Sequence, residues 1–535
     1  MNNHSLSPFK PSPFFYLNIS QFLSNLNDNL YKYLLIFSVI DVEGAKSAPF
    51  VLAASGIIFI LPFLFLSFYA GVLADRFSKR NIIVITKIIE VFTVTLLLFS
   101  FLYENILMRY IGLFILAFEE AIISPSKYSI IPELVDKDQI TEANGYLVSF
   151  TYIGMMLGAF LASILTQVTG HNYVLASLAC ILTALCGLLA ALKIPTTAAY
   201  APTAKCSVFF FKDIFYTMKR ASNTPYLLPS MMGSALFLFL AAYSQANIIS
   251  YSISCLHLSD VAGGYYSFIT TIGVSIGGIV AGKISGPRVA LGLVPLAALG
   301  MAICFWMFDC TVGLPNATAI NAIITGIFAG LYLVPLDSYV QAMSSNDIRG
   351  QNVATSNFFG WLSVLVASFL FYYMSHKLSL SPQVGFELMS VVSVILLVIF
   401  ALKFTFPMLR LASTVLRSMG MFTIKEMDKV PKNGAAVIVV KRWGEAFYLL
   451  SHRRRIVQLA ASYHTLSWRK RTRYEHLKIA TSEKLSELLD QKKLCCYILG
   501  DVDEDQKILQ QIKERGVPLF SISLESHILT ISNQA

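Results

Sequence analysis

The sequence predicts an all-α polytopic membrane protein, about 12 transmembrane helices in two six-helix halves, followed by a small C-terminal α/β domain. Three observations predict it. Of the 535 residues, 56% are hydrophobic and 13% charged, about half the charged share of a soluble domain. Between residues 16 and 407 the chain runs through about a dozen apolar stretches, each roughly long enough to cross a bilayer. Beyond about residue 410, Lys, Arg, Glu and Asp return at the density of a small soluble domain.

Residues 1–15 are polar, with Lys10 as the one strong charge. The stretch behind them carries Asp28 and Lys32, unlike a signal-peptide core, so no cleavable signal is expected. Apolar runs place six spans within 16–193, near 16–40, 50–72, 82–103, 107–125, 143–166 and 173–193. A polar connection at 194–225 holds Pro195, Pro202, Lys205, Lys212, Lys219 and Arg220. Six further spans fall within 226–408, near 226–250, 262–284, 289–309, 316–340, 352–375 and 385–407. Residues 409–535 form the tail domain. Loops on one side carry Arg76, Lys79, Arg80, Lys127, Lys137, Lys283, Arg288, Arg349 and Arg410, whereas the other side carries Lys46, Arg109 and Lys377. The positive-inside rule then puts both termini and the central loop in the cytoplasm. The net charge of +10 fits basic cytoplasmic loops and a basic tail rather than nucleic-acid binding. None of the eight cysteines has metal-ligand spacing, and no metal or cofactor is expected.

Ionisable side chains inside such spans are expensive and point to function. Asp28 lies deep in the first span with Asn25, Asn27 and Asn29 around it. A carboxylate at mid-span costs ~2.5–3.5 kcal/mol on insertion scales, so this tract should face a polar cavity. Lys87 and Glu90, three apart on the third span, share a helix face. They are either a self-neutralising pair or part of the cavity lining. Glu119 and Glu120 end the fourth span without an adjacent base; one can meet Lys127 or Arg109, and the other can reach the interface. Between spans two and three runs Gly71-Val72-Leu73-Ala74-Asp75-Arg76-Phe77-Ser78-Lys79-Arg80. Here a tight turn at Gly71, an acid and bases can latch the two halves, the acid pairing with basic groups or a helix N-terminus. Gating candidates are therefore Gly71, Asp75, Arg76 and Arg80. The equivalent loop after span eight, at 282–288, lacks the acid.

This loop and the six-plus-six layout resemble the major facilitator superfamily, whose halves rock about a midplane site. Further motifs resemble one branch of it, the bacterial lysophospholipid transporters. They are Gln21-Phe22-Leu23 with Asp28-Asn29, Ser124-Pro125-Ser126-Lys127-Tyr128-Ser129-Ile130, Ala143-Asn144-Gly145, Val334-Pro335-Leu336 with Gln341, and Gly350-Gln351-Asn352-Val353-Ala354. The resemblance covers residues 16–407. It implies transport of lysophospholipids to the cytoplasmic leaflet of a bacterial inner membrane for reacylation, by rocker-switch alternating access. It implies a headgroup or gating role for Asp28, Asn29, Lys87 and Lys127, with Glu90 and Glu119 beside them. The chain departs from the family in span seven, Met231 to Ile249, where a charged residue is expected and only Gln245 and Asn247 are polar amides.

In the tail, Val430 to Val440 resembles the opening strand of glycerol-phosphate acyltransferases, domains often fused behind such transporters. Leu485 to Tyr497 reads as helix, turn and strand, and Gly516 to Ile522 as another strand. That family needs a His with an Asp five residues on, the His acting as general base. Lys441 to Phe447, after the first strand, holds neither, and none of the eight histidines has that Asp. The expectation is an inactive acyltransferase-like domain, with an unrelated small α/β tail as the rival. Arg453, Arg454 and Arg455, with Arg469, Lys470, Arg471 and Arg473, suit docking on an anionic membrane surface better than RNA. Rival functions are a facilitator for another amphiphile or small solute, a bifunctional transporter-acyltransferase, and a scaffold recruiting a separate acyltransferase or acyl-carrier-protein synthetase.

Overall fold

The computed structural model describes residues 11–44, 48–203, 210–258, 260–285, 289–419 and 421, and in the tail 423–425, 436–440, 456–460, 478–479, 494–498, 510, 512–514, 517–525 and 528–533. The chain divides into two units, Met1–Lys403 and Phe404–Ala535.

In the first unit the helices α1 (Pro13–Glu43), α2 (Ala48–Arg76), α3 (Lys79–Leu102) and α4 (Ile106–Ser129) come first. The one-turn α5 (Ile131–Leu134) leads to α6 (Ile140–Val168) and α7 (Tyr173–Leu192). An unforeseen helix, α8 (Phe210–Ser222), occupies the central connection. The second set is α9 (Leu227–Ser254), α10 (Asp260–Ser285), α11 (Leu293–Cys310), α12 (Pro315–Met343), α13 (Arg349–Tyr372) and α14 (Pro382–Lys403). Helix α1 packs on α6 and α7, and α4 on α2 and α3; in the second set α12 packs on α10 and α11, and α13 on α9. The two sets meet along α2 with α13 and along α6 with α10.

Among the described residues, ten helices are long and apolar enough to cross a membrane. The long helices of the two sets that fall outside this group are α1 and α4, which carry Asp28 and Glu119, Glu120 and Lys127. These helices give up apolarity for their inward faces. Helix α3 shows the rule in one element. Ile85, Ile88, Phe92, Leu96 and Phe99 are exposed, whereas Thr86, Lys87, Glu90 and Thr93 are buried. The exposed stripe recurs at three- and four-residue intervals, so one face meets lipid and the opposite face meets protein.

The second unit opens with α15 (Thr405–Ser418). Its strands are β1 (Thr423–Lys425), β2 (Ala436–Val440), β3 (Ile456–Ala460), β4 (Lys478–Ile479), β5 (Leu494–Ile498), β6 (Leu519–Glu525) and β7 (Ile528–Asn533). They form one sheet in the order β1-β7-β6-β2-β5-β3-β4. Pairing is parallel except between β6 and β7. The three segments read as strands in the sequence overlap β2, β5 and β6, which are neighbours. Val437, Ile438 and Phe520 are buried there. The segment Lys441–Phe447 and Arg453, Arg454 and Arg455 lie outside the described residues.

Candidate functional site

Three helices of the first set bring the buried ionisable groups together. On α3, Lys87 Nζ pairs with Glu90 one turn later. Glu90 Oε1 also accepts from Asn27 Nδ2 of α1 at 3.0 Å, and Asn27 Oδ1 accepts from Thr183 of α7 at 3.0 Å. On α4, Lys127 pairs with Glu120, seven residues back on the same face. Its neighbour Glu119 does not reach the interface; it is buried and accepts from Thr93 of α3 at 2.6 Å. Arg109 meets neither acid. Its guanidinium bonds Ser38 at 3.1 Å and stacks over Phe101. Lys87 and Glu90 neutralise each other, and Glu90 lines a small cleft with Ser24, Asp28, Thr86, Glu119 and Glu120.

Asp28 is 5% exposed, and among the described residues no side chain hydrogen-bonds it. One turn on, Lys32 is half-buried with Nζ 5.5 Å from the Phe59 ring centre. Asn29 is not part of this cluster. It is half-buried and donates to the Asn25 carbonyl of its own helix at 2.9 Å. The reason is helical phase: Asn25 and Asn29, four apart, share the stripe that faces α6, and Asn27 points to the other side. The resemblance singles out Asn29 through its Asp-Asn pair, whereas Asn27 makes the bonds to Glu90 and Thr183.

The second set contributes one acid that sequence reading missed. Asp337 of α12 lies inside the motif Val334 to Gln341 and accepts from Ser234 of α9 at 2.7 Å. It partly answers the lack of charge in α9. Elsewhere the second set offers a small separate cleft in which Tyr243, Phe371 and Met374 stand beside Asn247, Ser375 and Ser381.

At the end bearing the basic loops, hydrogen bonds tie the two sets. The Asp75 carboxylate accepts from the backbone amides of Gly350 at 2.7 Å and Gln351 at 3.0 Å, in the first turn of α13. A helix N-terminus presents unpaired N–H groups and partial positive charge, so a carboxylate satisfies both. Asn144 and Gln341 exchange side-chain amide bonds of 2.9 and 2.7 Å between α6 and α12. Ser149 bonds the Ser275 carbonyl at 2.8 Å, and Asn357 bonds Ser124 at 3.1 Å.

Two gating expectations need correction. Gly71 makes no turn; α2 continues through it to Arg76. What its missing side chain permits is close approach, since a Cβ there would meet Ala354 Cβ at 2.4 Å and the Gly350 carbonyl at 2.7 Å. Arg76 is exposed and lies over Phe77, away from Asp75's partners. The buried base of the loop is Lys79, ion-paired with Glu133 of α5 at 2.7 Å. Arg80 binds the carbonyls of Leu192 and Ile194 at the end of α7, a cation at a helix C-terminus. At the opposite end of the bundle, partial burial pulls the Asp41 carboxyl up, but the Tyr173 hydroxyl and the His171 ring outweigh it and hold it below the usual carboxylate range.

Residues 17–311 match the model of the Major Facilitator Superfamily. The chain is 24% identical to the lysophospholipid transporter LplT of Photorhabdus laumondii over 350 residues, 63% of this chain and 82% of that one. It is 23% identical to LplT of Cronobacter sakazakii over 375 residues, 69% of this chain and 89% of that one. Among solved structures, the human organic anion transporter MFSD10 gives a TM-score of 0.59 at 15% identity, covering 73% of this chain and all of that one. FucP in the outward conformation gives 0.58 at 13% identity, covering 73% and 98%.

Two outcomes test this geometry. Replacing Lys87 by Met strands the Glu90 carboxylate and should cost roughly 3–5 kcal/mol. The thermal midpoint in detergent should fall, and Lys87→Met with Glu90→Gln should recover most of the loss. Asp75→Asn keeps the volume but removes the charge at the α13 N-terminus, worth about 1–2 kcal/mol. Disulfide crosslinking between cysteines placed on α2 and α13 at that end should drop several-fold; an unchanged yield would count against the tie.

Proposed function

Because the chain belongs to the Major Facilitator Superfamily, a family of membrane transporters, we propose that it carries lysophospholipids across a bacterial inner membrane to the cytoplasmic leaflet, where they are reacylated. One observation carries the reading. The ionisable side chains gather in the first set of helices, around Asp28, Lys87, Glu90, Glu119, Glu120 and Lys127, while the described cleft of the second set is lined by rings, a thioether and small polar groups. An amphiphile needs both: a wet, charged pocket for its headgroup and an apolar slot for its acyl chain.

In this reading Asp28 contacts the headgroup, since its carboxylate lines the cleft without a hydrogen-bond partner among the described residues. Lys32 supplies the nearby positive charge for a phosphate, and Lys87, Glu90, Glu119 and Lys127 hold the pocket's shape and field. Asp75, Asn144 and Gln341 close the end that faces the cytoplasm, and those bonds break when the halves rock. Both termini and the tail lie on that side, following the basic loops. The tail is an acyltransferase-like domain without its general base. It docks on anionic lipid through Arg453, Arg454 and Arg455, close to where a separate acyltransferase would take the product.

A transport assay decides between an amphiphile and a sugar. Purified protein in proteoliposomes should accelerate movement of labelled lysophospholipid between leaflets, and a labelled sugar should gain nothing. Asp28→Asn should fold normally and lose roughly ten- to hundredfold in rate, as expected for a lost charge-assisted contact of about 1.5–3 kcal/mol. Full activity in that variant would remove Asp28 from the site. The full chain, given acyl-carrier protein loaded with a fatty acid and a lysolipid acceptor, should form no diacyl product; turnover at an enzymic rate would overturn the inactive-tail assignment.

A further inference from the structure

Helix α8 has three faces, and each meets a different medium. Ile214, Thr217 and Ala221 are buried and form the protein face. Phe211 and Phe215 are 63% and 65% exposed and stand on the neighbouring face. Lys212, Lys219 and Arg220, with Tyr216, are exposed on the third. Successive residues advance about 100° around a helix. The aromatic pair therefore lies between the buried stripe and the basic stripe, at roughly 100–140° from Phe210, with the lysines near 180–200°. A helix with protein on one side, bare aromatic rings beside it and cations beyond them fits the plane of a bilayer's headgroup region. The rings enter the acyl boundary, and the lysines stay among headgroups.

The buried face is what gives this placement a consequence. Ile214 packs with Phe68 and Val72 of α2 and with Phe358 of α13. The Phe210 ring lies 5.9 Å from Tyr69 of α2 and 6.0 Å from Phe358 of α13. One short helix thus rests on both sets at once, across the same α2–α13 seam that Asp75 ties to Gly350 and Gln351. When the seam opens, α8 cannot keep both contacts. A ligand that holds α8 in its seat therefore favours the closed seam, because it has differential affinity for the two states.

We infer that α8 is a lipid-reading clamp: anionic headgroups of the adjoining leaflet bind Lys212 and Lys219 and stabilise closure of the α2–α13 seam. The occupant is a bilayer surface rather than a protein, on two grounds. The exposed rings adjoin the apolar exterior of membrane-crossing helices, and the charge on the third face is complementary to acidic lipid. Arg220 is left out of the reader because it faces Asp347 at 3.8 Å. The inference does not depend on which substrate the protein carries.

The test uses the full chain in nanodiscs of phosphatidylcholine, with and without one third phosphatidylglycerol. Amide hydrogen exchange is read at Gly350 and Gln351, whose N–H groups are engaged only when the seam is shut. Anionic lipid should slow that exchange by up to about thirtyfold, the limit that two lysines beside an acidic leaflet supply, and high salt should erase the effect. K212Q/K219Q, which alters exposed side chains only, should exchange at the same rate in both lipids. Equal exchange of the unaltered protein in the two lipids would overturn the inference. So would a lipid effect fully retained in K212Q/K219Q, or a parallel change in α14, which would mark a general effect of the bilayer.

Discussion

Charge inside a low-dielectric bundle is the constraint on which the rest of the first unit depends. Each buried Lys or carboxylate must find a partner, a helix terminus or water, because the alternative costs several kcal/mol per ion. Lys87 with Glu90, Lys127 with Glu120 and Lys79 with Glu133 satisfy it in pairs. Asp75 satisfies it with backbone amides, and Arg80 with terminal carbonyls. Asp28 has none of these and lines a cleft instead. Helices α1 and α4, which carry Asp28 and Glu119, Glu120 and Lys127, lose the apolarity of the other long helices. They are held by the ten that keep it.

The six-plus-six layout was legible because span length and apolarity are properties of consecutive residues. Burial of Asp28 and Lys87 was legible because an ionisable group inside a spanning helix has few places to go, whereas Lys127 was read on a loop and is buried near the end of α4. What local sequence does not carry is phase and partner. Choosing Asn29 over Asn27 needs the rotation of α1 against α3 and α6, which only packing sets. Asp337 hid inside a motif noted for its proline and its glutamine, and its partner Ser234 is 103 residues away. Helix α8 escaped because an interfacial helix has no apolar run to notice. Its signal was the recurrence of Phe210, Ile214 and Ala221 near the helical period.

The acyltransferase resemblance shows the converse case. Strands β2, β5 and β6 fall near the segments that suggested them, and they are neighbours in one sheet. A sheet says nothing of chemistry, however. What bears on catalysis is which residues follow the first strand, and the sequence supplies Lys441 to Phe447 with no His and no Asp. A sheet of this kind is shared by many unrelated activities, so its presence does not assign the tail to that family.

The tie between Asp75 and α13 is asymmetric in a way that bears on inheritance. Its acceptor is a side chain, but its donors are main-chain amides, which every residue except proline possesses. Substituting Gln351 by nearly any amino acid leaves the donor in place. Gly350 is different, since a Cβ there would lie 2.5 Å from the Gly71 carbonyl and 2.7 Å from Asp75 Oδ1. One partner of this contact is therefore shielded from most random substitution, and the vulnerable positions reduce to the acid and the two glycines. A drifting gene can rewrite Gln351 and still hand down the tie between α2 and α13.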